Sequence, residues 1–119
     1  MSARDRLFLL PSAFEDPAAG PGLFHCPYCA RMTGVLAYAP QVRERIDVQI
    51  VDFPRPRAAI VALVGDAHQS CPLLVLADGT DPLPPGAQRS SATGRAFIAD
   101  TARIIDYLAD RHGAPRPHP

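Results

Sequence analysis

The chain contains no Lys and no Asn, and all 12 of its basic residues are Arg. Lysine is thereby removed from any mechanism, and with the abundance of Ala and Pro the pattern reads as the codon bias of a GC-rich genome. An excess of charge is missing as well. Twelve acidic residues balance the 12 arginines for a formal net charge of +0. That gives no reason to expect nucleic acid or an anionic membrane as partner. Long apolar runs are absent: nothing approaches membrane-spanning length, and residues 7–10 are too short for the core of a signal peptide. The expectation is a cytoplasmic location with no membrane partner. No internal repeat is visible. At 119 residues the chain is long enough for one domain with a true core, needing no covalent staples.

Cysteine is scarce, with three residues, but two of them are placed for chemistry. Cys26 and Cys29 stand two residues apart directly before a helical pattern in which Met32, Val35, Leu36 and Ala39 recur on one face. Pro27 suits the first helical position, where a missing N–H costs nothing. Cys26 therefore sits at a helix N-terminus, where unpaired N–H groups and the macrodipole favour an anion. Its thiol is expected to acidify and to react at neutral pH. Cys29 follows on the same helix face, close enough to close a disulfide. In a reducing compartment such a pair is catalytic or metal-binding rather than structural. An odd third cysteine, Cys71, needs its own account.

The rest of the chain reads as alternating elements. Residues 6–10 form a buried strand, and residues 11–22 a loop leading to the cysteines. The first helix spans about 27–39 and stops at Pro40, with a polar turn over 41–45. Residues 47–53 alternate as a second strand. A second helix runs from Pro56 to Val64 with Ile60, Val61, Leu63 and Val64 inward, ended by Gly65. Residues 73–76 make a third strand and 96–99 a fourth. The segment 80–94 between them is an inserted, structureless loop. Asp100 caps a last helix with Ile104, Ile105, Tyr107 and Leu108 inward, and residues 114–119 form an extended tail. The expected order is β-α-β-α-β-β-α, a four-stranded mixed sheet with flanking helices in a domain over residues 1–113.

This order, with the cysteine pair between the first strand and first helix, resembles the thioredoxin-like fold. The Cys-Pro-Tyr-Cys of residues 26–29 resembles dithiol glutaredoxins most closely. Ser70-Cys71-Pro72-Leu73-Leu74 matches the segment where thioredoxin-like proteins carry a cis-proline facing the cysteine pair. Residues 98–109 resemble the end of the N-terminal domain of glutathione transferases. There an acidic and a hydroxyl residue at the helix start hold the γ-glutamyl end of glutathione. The whole pattern is similar to an uncharacterised bacterial family of thioredoxin-like proteins.

The resemblance implies a glutathione-linked thiol–disulfide oxidoreductase. In it Cys26 is the nucleophile and Cys29 the resolving thiol, with glutathione as cosubstrate and no tightly bound cofactor. Pro72 would be the cis-proline, Cys71 would stand where Val or Thr is usual, and Asp100 and Thr101 would contact glutathione. Tyr28 would wall the substrate groove. Glutaredoxins usually place a Lys before the motif; here Phe24 and His25 stand there, which leaves Arg55 or Arg57 to take a carboxylate. His25 could support the Cys26 thiolate if protonated. The helical second domain of a transferase is absent, so conjugation is not expected. Protein disulfides are the other candidate partner, and a monomer is the default.

Two other readings stay open. Cys26, Cys29, His68 and Cys71 have the residue types and spacing of a tetrahedral zinc site, or of an iron–sulfur ligand set. Alternatively, the fold serves as a non-catalytic interaction module. The bland accounts of single residues are equally concrete: Cys71 as a small buried hydrophobe, Asp100 as a plain N-cap, His25 and Tyr28 as solvated side chains.

Overall fold

The computed structural model describes residues 3–119. At its centre is β1 (Arg6–Leu9), of which Leu7, Phe8 and Leu9 are all buried. It pairs in parallel with β4 (Asp47–Ile50) on one side and antiparallel with β5 (Leu73–Val75) on the other. Beyond β5 come β7 (Ala96–Ile98) and then β6 (Ala87–Arg89), both antiparallel to their neighbours. The result is a five-stranded mixed sheet of order β4-β1-β5-β7-β6.

Every residue of β5 and β7 is buried, as are three of the four in β1. Strands that are apolar on both sides require a sheet covered on both faces. Helices α1 (Pro27–Tyr38) and α3 (Thr101–His112) pack against each other on one face, which leaves the short α2 (Ala58–Val64) for the other. Met32 and Leu36 of α1, Ile60 and Val64 of α2, and Ile104, Ile105, Tyr107 and Leu108 of α3 complete the core. In each helix these positions recur three or four residues apart, the spacing of a single face.

The sheet has one strand more than the expected four, and a separate two-stranded ribbon precedes α1. The ribbon, β2 (Phe14–Glu15) with β3 (Leu23–Phe24), lies in the stretch expected to be loop. It is anchored by Phe14 stacked on Phe53, with ring centroids 4.5 Å apart, and delivers the chain to Cys26. The extra sheet strand is β6, inside residues 80–94. That segment is therefore not structureless. Its last part also closes the end of α2, since the Ser90 hydroxyl donates to Val64 O (2.7 Å) and the Thr93 hydroxyl to Leu63 O (2.6 Å). Terminal helix carbonyls need such partners. Gly65 takes φ +83°, and a Cβ there would meet Ala92 at 2.8 Å, so the closure depends on glycine. Gly86, at φ +85°, lets the same segment lie against Arg103 of α3.

Smaller departures concern boundaries. Sheet pairing of β4 ends at Ile50 rather than residue 53. Helix α2 begins at Ala58, two residues after Pro56, with Arg57 as its N-cap. Being only seven residues long, it buries one stripe, Ile60 and Val64, and leaves Val61 and Leu63 half-buried. Residues 40–44 form a 3₁₀ helix. Ala114 is buried and the rest of the tail is exposed.

Candidate functional site

The register of the sheet gathers the residues of interest at one end. Phe8 pairs with Leu73, and Leu74 with Ile98. Beyond those pairs the chain leads on to Leu10, back to Cys71 and on to Thr101, so all three lie toward the same end of the sheet. Helix α1 starts at this same end: the Leu10 N–H donates to Cys29 Sγ at 3.4 Å.

Cys26 is the N-cap of α1, in extended conformation (φ −80°, ψ 116°), with Pro27 in the first turn. Its sulfur accepts the Cys29 N–H at 3.2 Å, so a side-chain sulfur does the work usually given to a Ser or Asp oxygen. The same thiol points to Cys71 O at 3.9 Å. Cys26 keeps 9% of its surface exposed and Cys29 5%. All three cysteines are free thiols.

The other two sulfurs are held protonated at neutral pH. Burial pushes the Cys29 thiol up to about 12; the Leu10 N–H opposes this, while the hydrogen bond and charge of Cys26 and the charge of Cys71 add to it. Burial likewise pushes Cys71 up to about 11, opposed by Arg57 and Arg55 and reinforced by the charge of Cys26. Of the three, only Cys26 faces a helix N-terminus, and anionic charge is stabilised there.

Arg57 is not held out for a ligand. It is only 6% exposed, and its guanidinium donates to Phe53 O through Nε (3.0 Å) and Nη2 (2.6 Å) and to Gln69 O through Nη1 (2.6 Å). Its own N–H goes to Gln69 Oε1 at 2.7 Å. Arg57 thus ties the loop after β4 to the loop before Cys71. The expectation that it receives a substrate carboxylate gives way to this positioning role, because three carbonyl contacts already occupy the guanidinium. Arg55 is exposed.

The remaining candidates are disposed as follows. The Cys71–Pro72 peptide bond is cis, and Pro72 is buried. Tyr28 is 60% exposed on the first turn of α1. Asp100 caps α3, its Oδ1 accepting the Arg103 N–H at 3.0 Å. Thr101 is half-buried beside it. His25 is exposed and, with Leu10, Pro11, Cys26, Cys29 and Ile50, borders an open groove of about 690 Å³. His68 does not turn toward the thiols; its ring lies against Phe97, centroids 4.6 Å apart. Among the described residues no three His, Cys, Asp or Glu side chains converge as a metal site.

The chain belongs to the DUF3088 family. The model of that family, described as a protein of unknown function, matches residues 4–116. No curated protein and no solved structure matches the chain. Among the described residues no helix is long and apolar enough to cross a membrane.

Sequence reasoning missed three contributors. The Leu10 N–H reaches Cys29 only because a strand end meets a helix start, and Gln69 clamps Arg57 across a loop. The third is a buried cluster at the far end of β1, built on Asp5. Its Oδ2 accepts Tyr107 OH (2.7 Å) and faces His112 Nε2 (2.8 Å), and its Oδ1 accepts the Ala77 N–H (2.7 Å). Burial alone would raise Asp5, but the bonds from His112, Tyr107 and Ala77 and the His112 charge hold it below the usual carboxylate range. No local pattern announces these partners; only an Asp abutting an apolar strand hints that it is buried.

Proposed function

We propose that this protein is a thioredoxin-like, glutaredoxin-type thiol–disulfide oxidoreductase. The observation that carries the reading is the division of labour among the thiols. Cys26 caps a helix N-terminus through its sulfur, while Cys29 behind it is buried and kept protonated. Support for the fold assignment comes from the order β4-β1-β5-β7, with only the β1–β4 pair parallel, and from the cis peptide before Pro72 beside the thiols.

In the forward reaction the Cys26 thiolate attacks one sulfur of a disulfide, forming a mixed disulfide and releasing the other half as a thiolate. Once Cys26 is bonded, it no longer bears the charge and thiol that raise Cys29, while the Leu10 N–H still stabilises Cys29 as an anion. Cys29 then loses its proton and attacks the Cys26 sulfur. The second half leaves as a thiolate, and Cys26–Cys29 becomes the disulfide. Two electrons pass from the dithiol to the substrate, and two molecules of glutathione return them with release of glutathione disulfide. Glutathione is the preferred cosubstrate because Asp100 and Thr101 open a helix at the same sheet end, and helix N-termini receive carboxylates. With Arg57 committed, exposed Arg55 is the cation left for a second carboxylate. A reducing cytoplasm suits a protein that works from the dithiol.

Equilibration in glutathione buffers of graded potential, followed by alkylation and peptide mass mapping, tests the reading. Cys26 and Cys29 should switch together, with Cys26 alkylating faster than Cys29 in the reduced protein. If the cysteines instead stay protected as a set until a chelator is added, the redox reading fails and metal binding replaces it.

A further inference from the structure

We infer that Cys71 is a second resolving thiol, able to release a mixed disulfide from Cys26 as Cys29 does. The inference rests on the oxidoreductase reading and names a residue that reading does not use.

The Cys26 sulfur meets both other cysteines through their backbones: Cys29 N–H at 3.2 Å and Cys71 O at 3.9 Å. Cys29 is three residues along α1, and Cys71 is the residue before Pro72. The Cys71 sulfur is near enough to both cysteines that their charges act on one another. It is only half-buried, so it can move and be reached. Unlike Cys29, it has cations beside it. The charges of Arg57 and Arg55 both act on its thiol, favouring the anion. Arg57 is itself immobilised by Phe53 O and Gln69 O, the latter two residues before Cys71, so its charge is fixed near that loop. A nearby guanidinium favours the thiolate that exchange requires. Cys29 has only the Leu10 N–H for this purpose.

The step balances without a further reagent. Cys71 gives up its proton and attacks the Cys26 sulfur of Cys26–S–S–R. The Cys26–Cys71 bond forms as the Cys26–S–R bond breaks, and R leaves as a thiolate that takes up the proton. The oxidising equivalent is the one already held in the mixed disulfide. The same attack on a Cys26–Cys29 disulfide returns Cys29 to the thiol state and moves the bond to Cys26–Cys71.

The test removes Cys29. Cys29→Ser and Cys29→Ser/Cys71→Ser proteins are reacted with glutathione disulfide, and the intact mass and peptide map are followed over time. The expected result is that the single variant gains a glutathione adduct on Cys26 and then loses it. Its final mass is two hydrogens below the reduced chain, with Cys26 linked to Cys71, while the double variant keeps its adduct. An adduct that persists equally in both overturns the role of Cys71 and leaves the Cys26 nucleophile standing. Absence of any Cys26 adduct in either folded variant instead defeats the oxidoreductase reading. Should Cys29→Ser not fold, Cys29→Ala replaces it. In the wild type, a Cys26–Cys71 linked peptide at intermediate potentials is expected, and its absence there counts against the proposal.

Discussion

The two ends of β1 each carry a polar cluster, and they are finished differently. At the Asp5 end one buried carboxylate accepts from a tyrosine, a backbone N–H and a histidine, so the carboxylate's own partners are complete, although the far ring nitrogen of that histidine, His112 Nδ1, is buried with no partner among the described residues. At the Leu10 end the thiols have thin partners: one N–H on Cys29, one on Cys26 and a carbonyl 3.9 Å away. A buried polar group stabilises a fold only when its partners are complete. The first cluster binds strand, helix and loop together. The second leaves sulfur with bonding capacity to spend on another molecule.

Exchanging the damage between the ends should give the largest contrast. Cys26→Ser is expected to abolish disulfide exchange while leaving the denaturation midpoint nearly unchanged. Asp5→Ala should do the reverse, costing ~3 kcal/mol because His112 and Tyr107 lose a buried partner, yet leaving the Cys26 alkylation rate intact in the folded protein. Urea unfolding and timed alkylation of both variants measure this. A large loss of stability in Cys26→Ser would dissolve the distinction.

Acid sharpens the same comparison. Asp5 is held below its unfolded value of 3.8, so its contribution is complete above that pH and drains away as pH falls through the lower folded value. Asp5→Asn should flatten the acid limb of the stability curve, whereas Cys26→Ser should leave it parallel to wild type. The smallest effect belongs to Asp100→Ala, which removes the bond to the Arg103 N–H and should cost about 1 kcal/mol as lost N-capping. If Asp100 also holds glutathione, the exchange rate with glutathione should fall further than that with a small neutral disulfide.

What could be read from the chain follows the range of the interactions. The Cys26–Pro27 start of α1, the Asp100 cap and the inward face of α3 depend on neighbours three or four residues away, and a linear pattern displays those. The β2–β3 ribbon was hidden because each strand is two residues long and is held by Phe14 stacking on Phe53, far along the sequence. Strand β6 was hidden for a similar reason. Its Ala-Gln-Arg has no strand pattern of its own and pairs only because β7 offers an unpartnered edge. Arg57 looked available for a carboxylate since nothing nearby in sequence claims it; Phe53 O and Gln69 O do so only once two loops meet.

The sequence by itself therefore determined the helix that presents Cys26, the spacing of Cys29 behind it and the apolar faces that form the core, because each is a local periodicity or cap. Tertiary structure alone decided that Arg57 is committed to Phe53 O and Gln69 O, that His68 packs on Phe97, and that Asp5 meets His112. Those choices depend on strand register and loop closure, which bring together groups tens of residues apart and leave no trace in local pattern.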